Sequence, residues 1–317
     1  MTLRHFLRDD DITAAEQAEI LRRAAALKAA PFADRCLDGP QVIAVLFDKQ
    51  TLRTQVSFTA AIAHLGGFPM VIDGHLAQVG VRESIADTAR VLGREAVAIV
   101  WRTYGQERIE EMASFAHIPV INALTDEFHP CQILADLLTV QEHRGDLAGQ
   151  TLAYVGDGAN NMAHSYLLGA ALAGMHVRVG TPSSHQPRPD ILERATRLAA
   201  EQGGSVLVTD DPVAAVAGAG VVATDTWVSM GMESESDSRK GPGGPFERFQ
   251  VNAELMAHAD ADAVFLHCLP AYRGYEVTAE VIDGPRSVVW DESENRLHAQ
   301  KAVISWLLEQ LGEPEPA

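Results

Sequence analysis

Short apolar runs rich in β-branched residues recur along the chain, and most are separated by stretches with helical spacing. VIAVLF (42–47), PMVID (69–73), AVAIVW (96–101) and PVINAL (119–124) form a first set. TLAYVG (151–156), HVRVG (176–180), SVLVT (205–209), GVVATD (220–225), AVFLHCL (263–269) and SVVWD (287–291) form a second. Unbroken apolar runs alternating with helix-length sequence predict parallel strands in βαβ units, covered by helices. Ten strands divide naturally into two sheets, with the boundary after a helix ending near QEHRGDLAGQ (141–150). The predicted fold class is therefore α/β, with two doubly wound parallel-sheet domains.

Several helix ends are readable. Thr13 and Glu16 form a capping-box pattern ahead of Ile20, Ala24 and Leu27. Phe58, Ile62 and Leu65 keep helical spacing until Gly66-Gly67 stops them, and Val303, Leu307 and Leu311 mark a last helix. GMESESDSRKGPGGPFE (231–247) is one long polar, Gly-rich insertion. Its composition fits a lid and a disordered surface loop equally well.

Composition narrows the function. A chain of 317 residues is too long for one small core and suits two domains. Hydrophobic residues at 47% and charged residues at 21% describe a soluble globular protein. The 25 Lys and Arg face 43 Asp and Glu, a net charge of −18. That excess argues against nucleic acid or an acidic membrane as partner. An anionic substrate needs a local cluster of positive groups working against the overall field. MTLRHFLRDDDIT has no signal-like apolar segment, and no run approaches the roughly 20 apolar residues of a membrane span. Cys36, Cys131 and Cys268 are odd in number with no CxxC, so neither a disulfide framework nor a zinc site is expected. No metal or cofactor is called for, and the expected location is cytoplasmic.

The candidate chemistry gathers where strands give way to helices. In LFDKQTLRTQVSF (46–58), Thr51, Arg53 and Thr54 stand at a helix start. Free N–H groups there favour an anion, and the guanidinium fork suits phosphate oxygens. Arg102 directly follows a strand in WRTYGQER (101–108). In DEFHPCQ (126–132), Pro130 suits a first helical turn and places His129 and Gln132 at its start. Each residue alone reads as well as a surface cap or a satisfied structural group. Three such sets at three strand ends of one sheet point to a shared ligand. In the second half, YVGDGANNMAHS (154–165) has Gly156 and Gly158 but Asn161 where GxGxxG needs its third glycine, which weakens a dinucleotide reading. DTWVSMG (225–231) puts Asp225 at a strand end, and HCLPAYRG (267–274) does so for Cys268, a residue more often a small buried hydrophobe.

Taken in order, HPCQ, DTWVSMG, HCLP and ENRLHAQK (294–301) resemble the transcarbamylase family over about residues 41–310. The SMG and HCLP elements resemble its ornithine branch; the aspartate branch lacks both, and the acetylated-ornithine branch replaces the SMG loop. The resemblance implies a carbamoyl-phosphate domain over 1–145 with a C-terminal helix 297–312 packing back on it, and an ornithine domain over 146–296. It implies transfer of the carbamoyl group to the δ-amine of L-ornithine, giving L-citrulline and phosphate, in a homotrimer or a multiple of one.

By motif, Thr51, Leu52, Arg53 and Thr54 would hold the phosphate, and Arg102, His129 and Gln132 the phosphate and carbamoyl oxygens. Cys268, Leu269 and Arg296 would border the carbamoyl end, and Gln78 in QVGVRES (78–84) would reach into a neighbouring subunit's site. Asn161, Asp225, Ser229 and Met230 would bind the amino acid. Arg53, Arg102, His129, Asp225 and Cys268 would be the catalytic set. The family's usual Ser-Thr-Arg-Thr-Arg reads Thr51-Leu52-Arg53-Thr54-Gln55 here, and Tyr272 stands where relatives often have His. Losing the second arginine predicts weaker carbamoyl-phosphate binding with the same reaction. A transcarbamylase acting on lysine or a secondary-metabolite precursor, a non-catalytic binding homologue and a dinucleotide oxidoreductase are the alternatives.

Overall fold

The computed structural model describes residues 3–228, 236–240 and 243–311. Two compact units emerge: one runs to Ala135 and takes in the segment from Glu294, and the other is Asp136–Ser293. Among the described residues, nine strands form a four-stranded and a five-stranded sheet, every pairing parallel.

In the first unit, β1 (Val42–Phe47), β2 (Phe68–Asp73), β3 (Ala98–Arg102) and β4 (Val120–Leu124) lie in the order β2-β1-β3-β4. The central strands are buried on both faces, as their continuous apolar runs require. Ala44, Leu46, Ile99, Trp101 and Val120 pack with Ile109 and Met112 of the helix Gln106–Ala116 on one face. In the second unit, β5 (Thr151–Val155), β6 (His176–Gly180), β7 (Ser205–Thr209), β8 (Val221–Thr224) and β9 (Val264–His267) take the order β7-β6-β5-β8-β9. Ala153, Val155, Val222 and Phe265 centre that core.

Each sheet has a point where its winding reverses. It falls between β1 and β3 in the first and between β5 and β8 in the second. Loops leaving neighbouring strands in opposite directions open a crevice at their C-terminal ends, where open α/β sheets bind ligands. The segment after β1 and the residue ending β3 are those that carry Thr51–Thr54 and Arg102. The segments after β5 and β8 carry Asn161 and Asp225.

Local signals act as their chemistry predicts. Thr13 Oγ1 accepts from the Glu16 N–H (3.2 Å), and the Glu16 carboxylate accepts from the Thr13 N–H (2.7 Å). Gly66 ends the helix Arg53–His64 at φ 91°, where a Cβ would strike the Asp38 carboxylate. The expected tenth strand is absent. Within SVVWD only Ser287 bridges to Phe265, and a helix spans Val289–Glu309. Asp291 and Glu292 in its first turn favour helix through the dipole, and the following 3.6-residue pattern carries it on. The last helix thus starts earlier than its apolar spacing implies, and Leu311 lies beyond its end.

Within the first unit that helix packs on the helix Ala14–Ala29. The buried Lys301 ammonium donates to the Leu27 carbonyl (2.8 Å) and the Pro31 carbonyl (3.2 Å), capping the C-terminal end of the earlier helix. Replacing Lys301 by Met should leave these carbonyls without their donor. A loss of about 1–3 kcal/mol in urea unfolding is expected; unchanged stability would show that the contact is idle.

Candidate active site

The helix Arg53–His64 begins directly after β1 and its loop, so Arg53 and Thr54 stand in its first turn. Thr54 is buried, and its hydroxyl is a shared acceptor. Arg102 Nη1 donates to it from the end of β3 at 3.2 Å, and Arg296 Nη2 from the last helix at 2.7 Å. His129 and Gln132, at the start of the helix Pro130–Arg144, are 4% and 1% exposed. Arg53 Nε is buried and meets no acceptor among the described residues. A buried guanidinium donor with no acceptor is costly, and an anion's oxygens would satisfy it.

His129 reports on this crowd. Burial, and then the charges of Arg296, Arg102 and Arg53, hold its imidazole well below the ordinary range. The ring is therefore neutral at physiological pH and offers one N–H beside three guanidinium groups. Sequence reading placed Thr51, Leu52, Arg53, Thr54, Arg102, His129, Gln132 and Arg296 at one site. The structure joins Thr54 to Arg102 and Arg296 by hydrogen bonds and sets His129 in the field of Arg53, Arg102 and Arg296. Thr51 is half-buried in the loop, and Leu52 is 71% exposed at the helix N-cap with no side-chain cap bond. Gln55 is exposed one residue past Thr54. Gln78 is exposed, with φ 50°, on the loop after β2.

The second unit gathers a different chemistry. Asp225 follows β8 and Cys268 follows β9, and the Cys268 thiol donates to Asp225 Oδ1 at 3.3 Å. Burial, then the charges of Asp225, Glu292 and Asp136, push the thiol well above its usual value. Cys268 is therefore a neutral donor and not a thiolate nucleophile. Burial also raises Asp225, with the neighbouring charge of His267 opposing it. Asn160 caps the helix Asn161–Leu172, accepting from the Ala163 N–H (2.8 Å), while its amide reaches Asp225 Oδ2 (3.5 Å). Asn161 is the first helical residue and half-buried. Leu269 adopts φ 57°, and its N–H donates to His267 Nδ1 (2.9 Å). Ser229 and Met230 lie outside the described residues.

Asp225, His267 and Cys268 bring potential metal-ligating atoms within 4.8 Å of one another. The thiol proton shared with Asp225 gives this group an alternative role as an oriented hydrogen-bond donor and acceptor. Sequence reading missed the buried acids behind it. Asp136 accepts from the Tyr166 hydroxyl (2.6 Å), and Glu292 accepts from the His267 N–H (2.8 Å). Asp136 sits inside an ordinary helical run, and Glu292 lay in the segment expected to be a strand's flank. Nothing in either local pattern announces a partner far along the chain.

The two clusters define a class: an α/β protein with guanidinium groups gathered at one parallel sheet and an acidic, thiol-bearing cluster at another. Residues 4–142 match the carbamoyl-phosphate-binding domain of aspartate/ornithine carbamoyltransferases, and residues 148–307 match the aspartate/ornithine-binding domain. The chain belongs to the aspartate/ornithine carbamoyltransferase family. It is 61% identical over 307 residues to an ornithine carbamoyltransferase of Clavibacter sepedonicus, covering 97% of this chain and 99% of that one. A relative of the same description from Rhodococcus jostii is 56% identical, with 97% of each chain covered. The solved ornithine carbamoyltransferase of Pyrococcus furiosus is similar in structure, with TM-score 0.91, 45% identity, and 96% and 97% of the two chains covered.

The His129 environment has a pH consequence. The folded state resists protonating this ring, while the unfolded chain takes the proton near pH 6.5. The unfolded state then binds more protons, so stability falls as pH drops through that value. Thermal unfolding of His129→Gln should lose less between about pH 7.5 and about pH 5.5 than wild type does. Equal losses would contradict the depressed imidazole.

Proposed function

We propose that this chain transfers the carbamoyl group of carbamoyl phosphate to the δ-amine of L-ornithine, giving L-citrulline and phosphate. The observation that carries the reading is the cradle, in which Arg102 and Arg296 share Thr54 beside Arg53 and a neutral His129. Relatives 55–61% identical over nearly the whole chain bear the matching name.

In this reading the backbone N–H groups around Leu52 to Thr54, with Thr51, Arg53 and Arg102, hold the phosphate. His129, Gln132 and Arg296 hold the carbamoyl end. As a neutral amine attacks the carbamoyl carbon, negative charge grows on its oxygen. Arg53, Thr54, Arg102 and His129 provide donors already in place, and loss of one such donor typically costs about 2.7–4 kcal/mol of barrier. The carbon–oxygen bond to phosphate then breaks, and the new amide nitrogen gives up its proton. Asp225 and Cys268 orient the amine, with Asn161, Ser229 and Met230 completing the amino-acid side and Leu269 bordering the carbamoyl end. A lysine-like amine has a pKa of about 10.4, so the rate should rise with pH as more substrate becomes neutral.

A homotrimer, with Gln78 reaching a neighbouring site, belongs to the same reading. Its support is the apolar face that the first unit exposes along and beside edge strand β2: Phe68, Val71, Leu76 and Val81 are 55%, 43%, 81% and 83% exposed. A cytoplasmic place in arginine biosynthesis follows from the family resemblance.

A citrulline colour assay with ornithine, lysine and putrescine tests the substrate. Product with ornithine is expected; product with lysine alone would make the chain a different transcarbamylase. Restoring Leu52→Thr and Gln55→Arg together adds an N-cap hydroxyl and a guanidinium at the anion site. The Michaelis constant for carbamoyl phosphate should fall, and an unchanged value would show that neither departure weakens binding.

A further inference from the structure

Within the polar insertion, Ser236–Lys240 is a short helix with contacts to its neighbours. Arg239 is buried and its Nη1 donates to Asp157 Oδ2 at 2.6 Å and to the Trp227 carbonyl at 3.1 Å. Its guanidinium also lies over the Phe246 ring, 5.6 Å from the centroid, and Phe246 stacks on Trp227. Asp157 belongs to the loop after β5, and Trp227 to the loop after β8, two residues from Asp225. The next residue reaches a third loop. Lys240 Nζ lies 3.9 Å from the Tyr272 ring centroid and 4.9 Å from that of Tyr275, in the loop after β9 that begins with Cys268.

These three loops carry the amino-acid half-site. Their strands β5, β8 and β9 are adjacent, and the winding of the sheet reverses between β5 and β8. Two adjacent cations joined to all three supply a brace. The Arg239 pair is buried and hydrogen-bonded, which sets its geometry tightly. The Lys240 contact is partly exposed, where a cation–π pair is modest and reversible. Tyr272 stands where relatives often have His, so this chain offers the ammonium two aromatic faces side by side.

We propose that Arg239 and Lys240 form a strap that positions the three loops around Asp225 and Cys268, with Lys240 clamped on Tyr272 and Tyr275 setting how firmly the amino-acid substrate is held. This rests on the ornithine reading above and names positioning residues of the same half-site.

Steady-state kinetics of Lys240→Met, Tyr272→Leu and Tyr272→Phe test it. Met keeps the length and removes the charge, Leu removes the ring, and Phe restores the face. Lys240→Met and Tyr272→Leu should raise the ornithine KM about three- to fivefold, leave the carbamoyl-phosphate KM within about twofold, and keep wild-type Tm. Tyr272→Phe should match wild type. An ornithine KM within about twofold of wild type in both, or equal rises in both KM values, overturns the strap. If wild type forms no citrulline, the ornithine reading itself fails, and the strap is judged by trypsin cleavage after Arg239. Faster cleavage in Tyr272→Leu than in wild type and Tyr272→Phe supports it; equal rates overturn it.

Discussion

One hydroxyl organises the first half of the molecule. Thr54 accepts from both Arg102 and Arg296, groups that approach from the end of β3 and from the last helix. Guanidiniums this close repel by the order of a few kcal/mol at the effective dielectric of a protein surface. The fold tolerates them because each is tied to a rigid element and because they share an acceptor. The His129 ring is held neutral first by its burial and then by the same charges. In a chain of net charge −18, such a pocket is a deliberate local reversal of sign. An entering phosphate dianion would relieve the repulsion, so binding energy and pocket stability are coupled.

The second unit inverts this electrostatics. Burial, and then the charges of Asp225, Glu292 and Asp136, raise the Cys268 thiol and keep its proton in place. Such a cluster would favour a cationic group and repel a phosphate. The two sheets thus sort anion from cation by the side chains at their reversal points.

Much of this was legible along the chain, for physical reasons. Nine of ten strands appear within two residues of their apolar runs, because buried parallel strands must be continuously apolar. Arg53, Thr54, Arg102 and His129 were readable because strand-to-helix junctions leave donors at one sheet edge. SVVWD misled because its two valines sit at a helix start, where the acidic residues that follow outweigh β propensity. Asn160 and Asn161 were both readable at a helix start, and the structure shows that Asn160 is the cap and that its amide reaches Asp225. The Arg239 strap was invisible, since its insertion reads only as polar and Gly-rich while its partners lie in three separate loops.

The cradle is tested most directly by a crystal structure of the protein soaked with carbamoyl phosphate. Phosphate oxygens within hydrogen-bonding distance of Arg53 and Arg102, with the carbamoyl oxygen facing His129 and Arg296, are expected. Carbamoyl phosphate bound elsewhere, with these four side chains unchanged, would contradict the claim that together they form its cradle.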